Sequence, residues 1–165
     1  MRFGILLCAG LLLANAPIAR AADAPDPRDL AAVTNCVERQ EKASTETAAI
    51  EVCIGTVAKP CVKNDETSVP DAEVTQCFDR EQRAWDKLLN DAYKTLQGAL
   101  DNEQQAKLRD MQRAWLASRE KSCMFFYDYF QGTMANPMIA SCQNKETARR
   151  AIFLRVFAQD SKTNK

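Results

Sequence analysis

The chain has 165 residues, with 22 basic and 22 acidic side chains, seven cysteines and no histidine. That balance leaves no basic surplus to hold nucleic acid or an anionic membrane. The missing histidine removes the commonest general base and the commonest metal ligand.

Residues 1–21 read as an export signal. Arg2 gives a basic start, Ile5 to Leu13 are apolar, and Ala19-Arg20-Ala21 has the small-x-small form of a cleavage site. The apolar run is too short for a membrane-spanning helix, so no stable membrane insertion is expected after cleavage. Cys8 follows the bulky Leu7, which disfavours lipidation there. Loss of Arg2 and Arg20 makes the mature chain mildly acidic. The expected location is periplasmic or secreted.

Prolines and glycines punctuate the rest, and strict polar/apolar alternation is absent, so helices are expected throughout. Asp26-Pro27 predicts the start of a first helix, with Asp26 as cap and Pro27 in its first turn. Ser44 or Thr45 is expected to cap a second helix over about 46–58, and Lys59 to Asp71 to form an acidic loop. A third helix begins near Pro70. Its apolar positions, from Val74 through Cys77, Trp85, Leu89 and Leu96 to Leu100, recur every three or four residues. Asp101 with Gln104 predicts a capping box opening a fourth helix, and the short break makes the two an antiparallel hairpin. Gly132 to Pro137 is expected as a loop, and a last helix from about Asn144 to Phe157. The fold class is therefore all-α: a disulfide-stapled helical bundle built on a long antiparallel helical hairpin.

Six cysteines follow the leader: Cys36, Cys53, Cys61, Cys77, Cys123 and Cys142. An even set in a small exported domain reads as three disulfides. A hairpin turning near Ser44 places Cys36 opposite Cys53. The other four pair either as Cys77–Cys123 with Cys61–Cys142, or as Cys61–Cys77 with Cys123–Cys142. No C-x-x-C is present to suggest a zinc knuckle or a thioredoxin-type redox pair.

From Cys77 to Phe157 polar residues recur within the apolar stripes: Asp86-x-x-Leu89-Asn90-x-x-Tyr93, then Gln112-x-x-Trp115-x-x-x-Arg119-x-x-x-Cys123, then Gly132, Cys142 and Thr147-x-x-Arg150. In this order and spacing the chain resembles the lysozyme inhibitor LprI-like N-terminal domain family, over roughly half its length. The resemblance implies a small, secreted or periplasmic helical domain in a family named for a member that inhibits lysozyme. The chain is expected to divide into a signal peptide (1–21), a short helical hairpin extension (22–69), the LprI-like domain (70–158) and a frayed tail (159–165).

The same residues have a structural account. Gln112, Trp115 and Arg119 share one helical face. Trp115 is expected to fill the hairpin core, and Arg119 to reach Asp86 on the facing helix. Asn90 and Tyr93 are expected to bond across that interface, with Thr147 and Arg150 closing a polar network.

No nucleophile elbow, phosphate loop or H-E-x-x-H pair appears. Asp79, Glu81, Asp86 and Asp91 alternate with Lys and Arg and read as a solvated face. The expectation is a binding protein, not an enzyme, with no cofactor, no metal and no catalytic residues. Met134 and Met138 read as packing. The run Phe125 to Phe130 places rings all around its helix, with outer members free for a partner. Expected partner contacts are Asp65 and Glu66 in the acidic loop, and Phe130, Gly132 and Asn136 after the aromatic run. Three functions follow: an inhibitor of lysozyme-type glycosidases, an envelope structural or adaptor protein, or a small-ligand binder with a polar pocket around Arg119.

Overall fold

The computed structural model describes residues 24–44, 46–63 and 70–163. The signal-peptide expectation and the 64–69 part of the acidic loop lie outside them. The described residues form six helices and no strand: α1 (Pro27–Ala43), α2 (Thr47–Glu51), α3 (Ala58–Lys63), α4 (Asp71–Ala99), α5 (Asn102–Phe130) and α6 (Ala135–Thr163).

Helix α1 starts as its sequence dictates. The Asp26 side chain accepts from the Arg28 backbone N–H at 2.7 Å, and Pro27, which has no N–H to leave unpaired, sits in the first turn. Its inner face is Asp29, Val33, Cys36 and Val37. The expected continuous helix over 46–58 is broken instead. Helix α2 ends at Glu51, turns follow, and the chain reverses at Gly55, whose φ of +100° is a conformation that side-chain-bearing residues rarely adopt. Helix α3 then occupies positions expected to be loop.

The α4–α5 junction matches its sequence signal. Asp101 accepts from the Gln104 N–H at 2.8 Å, and the Gln104 side chain accepts from the Asp101 N–H at 3.1 Å. Helix α6 starts at Ala135, about nine residues earlier than expected. Pro137 does not stop it, because a proline in the opening turn removes no helical hydrogen bond.

Helices α4 and α6 form the centre and run parallel. Asp79 and Gln143 border one surface cavity, and Thr95 and Ser161 border another further along both helices. Small side chains let them approach closely: Ala84 and Ala92 on α4, and Ala148, Ala151 and Ala158 on α6, are all buried. Helix α5 runs antiparallel, rests on α6 and stands away from α4. Only Leu108 and Cys123 of α5 are buried. Val33, Val37 and Ile50 join Trp85, Leu89, Ile152 and Leu154 in one core, so α1 and α2 close the other side of the α4–α6 pair.

Three disulfides staple this arrangement: Cys36–Cys53, Cys61–Cys77 and Cys123–Cys142. The last two are the near-neighbour alternative left open by the sequence. Their effect is local: one ties α1 to the turn after α2, one ties α3 to α4, and one ties the end of α5 to the start of α6.

Candidate functional site

Two features lie along α5, one polar and one aromatic. The polar cluster sits mid-helix, where α5 crosses α6. Arg119 Nη1 donates to the buried Thr147 hydroxyl at 2.8 Å, and Arg150 Nε donates to Gln112 Oε1 at 2.9 Å. Both guanidiniums lie over the Trp115 ring, at 4.9 Å for Arg119 and 5.5 Å for Arg150, and Arg150 also lies 5.1 Å from the Phe153 ring. Such cation–π contacts strengthen where water is displaced. Burial lowers the Arg150 guanidinium from its ordinary value. Arg119 Nε and Arg150 Nη2 are buried without a partner, so donors outnumber acceptors here.

Several contacts differ from those expected. Arg119 is committed to Thr147 and does not pair with Asp86, because α5 stands off from α4. Asp86 instead accepts from Asn90 Nδ2 at 2.9 Å along its own helix. The Tyr93 hydroxyl oxygen accepts from Gln97 Nε2 at 3.0 Å, also within α4. Burial pushes the Asp86 carboxyl above its usual range, while the Arg119 charge and the Asn90 bond pull it partly back. Trp115 is half-buried and braced by arginines, so the large aromatic of the core is Trp85, which is 1% exposed.

The gap between α4 and α5 is a cavity of about 340 Å³. Asp86, Asn90, Tyr93, Arg109, Gln112 and Trp115 line it, with Leu89, Arg113 and Leu116.

Glu81 is a residue the sequence misassigned. It was expected on a solvated face and is fully buried. Its two oxygens accept from the backbone N–H groups of Gly55, Val57 and Ala58, at 2.6–2.8 Å, and from Trp85 Nε1 and Asn144 Nδ2 at 3.0 and 3.2 Å. The signal was its place between Cys77 and Ala84 on the apolar stripe, where a charge must meet donors inside the protein.

The aromatic feature is the end of α5 and the turn into α6. Phe125, Tyr127 and Tyr129 are 61%, 54% and 69% exposed, with Met124, Met134 and Met138 also exposed. The two methionines read as packing are therefore at the surface. Phe126 stacks on Phe130 at 5.9 Å, and Tyr129 meets Phe130 edge-on at 5.0 Å, giving one joined ring cluster. Gln131 carries a positive φ of 53° and Gly132 one of 74°, which turns the chain sharply from α5 into α6. The Cys123–Cys142 disulfide clamps the base of this turn. No charged residue occurs between Asp128 and Lys145, in a chain otherwise rich in charge. Of the expected contact residues, Phe130 is half-buried in the ring cluster, and Gly132 and Asn136 are exposed at the tip. Asp65 and Glu66 lie outside the described residues.

A family model described as lysozyme inhibitor LprI matches residues 61–154, more than half of the chain. The chain belongs to the LprI lysozyme inhibitor family. Within the LprI match lie the polar cluster, Glu81, the aromatic tip and two disulfides, Cys61–Cys77 and Cys123–Cys142. The Cys36–Cys53 staple precedes it. No curated protein and no solved structure matches the chain. Among the described residues, no helix of this LprI family member is long and apolar enough to cross a membrane.

Proposed function

We propose that this protein is an exported, periplasmic or secreted inhibitor of lysozyme-type glycosidases that acts by binding and not by catalysis. The observation that carries the proposal is the LprI family match across the segment that contains the aromatic tip. The tip has the composition of an interface core: exposed rings and methionines, with Asp128 as its one charge and none from there to Lys145. Its disulfide and tight turn hold the shape before binding, which lowers the ordering cost. Gln131, Thr133 and Asn136 supply neutral amides and a hydroxyl, suited to bonding the carboxylates of a glycosidase cleft. Three disulfides fit an oxidising compartment.

The test is an activity assay with pure, oxidised protein against lysozymes of several types. Inhibition that saturates at one inhibitor per enzyme supports the reading. Full lysozyme activity at micromolar excess, with a different envelope protein captured by the same tip, supports the adaptor reading instead.

A further inference from the structure

The cavity between α4 and α5 has a chemistry that the inhibitor reading does not use. Two helices joined by a tight, capped turn would ordinarily close on each other with apolar side chains. Here α5 leans on α6, and the space facing α4 is walled by Asp86, Asn90 and Tyr93 on one side and Arg109, Gln112 and Trp115 on the other. Its volume of about 340 Å³ falls at the small end of ligand sites, which run from about 300 to 1,000 Å³.

The hydrogen bonds already made leave a defined remainder. Asn90 spends its Nδ2 on Asp86 Oδ2, so Asn90 Oδ1 and Asp86 Oδ1 remain as acceptors. Tyr93 receives from Gln97 at its oxygen, so its hydroxyl proton remains to be given. Gln112 receives from Arg150 at Oε1, so its amide N–H groups remain as donors. Acceptors therefore stand on α4 and donors on both helices, with aromatic surface from Tyr93 and Trp115 between them. The arginines stacked on Trp115 fix that ring in place.

A ligand that satisfies this set offers hydroxyls that both donate and accept, and a C–H face for the rings. A simple anion meets Arg109 and Arg113, but it offers no proton to Asp86 Oδ1 or Asn90 Oδ1 and no face to the Tyr93 and Trp115 rings. We infer that the α4–α5 cavity, lined by Asp86, Asn90, Tyr93, Gln112 and Trp115, is a binding site for a neutral sugar ring. The site is shallow and built for one ring, so its dissociation constant is on the order of 1 mM. The inference is independent of lysozyme inhibition, and its test contains no lysozyme.

The chain has two tryptophans, which gives the test an internal control. The indole N–H signals of 15N-labelled, oxidised protein are followed by NMR during titration with glucose, N-acetylglucosamine and the β-1,4-linked trimer of N-acetylglucosamine, with sulfate as the anion arm. A saturating shift of the Trp115 signal with any of the sugars, with the buried Trp85 signal unmoved, is the expected result. Stronger binding of the trimer identifies a glycan chain as the source, and equal binding identifies the free sugar. Tyr93→Phe keeps the ring and removes one donor, so it weakens binding about tenfold while Trp85 reports an intact fold. No Trp115 shift with any sugar, a shift with sulfate, or unchanged affinity in Tyr93→Phe overturns the assignment.

Discussion

Glu81 Oε1 accepts the indole N–H of Trp85 at 3.0 Å, one turn further along α4. The pair sets the largest core side chain and a buried carboxylate against each other at the point where α3, α4 and α6 meet. Because the other donors to Glu81 are the backbone of Gly55, Val57 and Ala58 and the amide of Asn144, one side chain positions three segments. Glu81→Gln keeps the shape but turns an N–H2 group towards backbone N–H groups that need an acceptor. A loss of about 3–5 kcal/mol in urea-unfolding free energy is expected, with α3 loosened first. A loss below 1 kcal/mol would contradict the role given to Glu81, on the scale of a single neutral hydrogen bond of about 1 kcal/mol.

Arg155 on α6 holds Glu41 on α1 by two bonds, Nε to Oε1 at 2.5 Å and Nη2 to Oε2 at 3.0 Å, and Gln159 adds a third to the same carboxylate. Both charged side chains are mostly shielded, at 29% and 17% exposure. A double-mutant cycle on Glu41→Ala and Arg155→Ala is expected to give a coupling of about 1–2 kcal/mol, more than an exposed pair supplies. Additive effects of the two substitutions count against this link.

Asp86 and Asp79 set a pH trend. Burial raises both carboxyls above their ordinary value of 3.8, against the lowering effect of Arg119 on one and Arg83 on the other. The folded state therefore binds protons more readily than the unfolded chain at these two positions. The stability they contribute is fully present below the ordinary value and is lost as pH rises through the folded values. Asp86→Asn removes one such group and is expected to flatten the slope of unfolding free energy against pH just above 3.8. An unchanged slope contradicts the assignment.

Cys123 and Cys142 close a loop with a sequence separation of 19 at the far end of the molecule from the α4–α5 turn. Replacing both with serine is expected to cost about 3 kcal/mol in the chain-entropy model. The α1–α4–α6 core lies elsewhere, so far-UV circular dichroism stays helical while the aromatic tip loses its fixed form. Near-UV ellipticity of the tyrosines and phenylalanines reports that loss.

Local rules carried much of the fold. The Asp26 cap, the Asp101–Gln104 box and the long period of α4 are each decided by residues within a turn or two of each other. Three features escaped because tertiary contacts decide them. Gly55 breaks a segment whose apolar spacing alone reads as helix, and the break holds because Glu81, 26 residues away, receives its N–H. Residues before Asn144 become helix because the tip must reverse at Gln131 and Gly132 and Cys142 must meet Cys123. Arg119 takes Thr147 over Asp86 because α6 lies nearer to α5 than α4 does, an order in space that spacing along the chain does not encode. Arg119 with Thr147 and Arg150 with Gln112 bond between α5 and α6, whereas Asp86, Asn90 and Tyr93 bond only along α4. The exposed aromatic tip had a further signal in the charge-free stretch after Asp128.

The measurement that bears most directly on the account is the lysozyme inhibition constant of the oxidised protein beside that of a Phe125→Ala/Tyr129→Ala variant. Both rings are exposed, so the variant keeps its fold. The account predicts inhibition by the native chain and a weakening of about thirtyfold or more in the variant, the scale of one interface hot spot. Equal inhibition by the two proteins, or none by either, contradicts it.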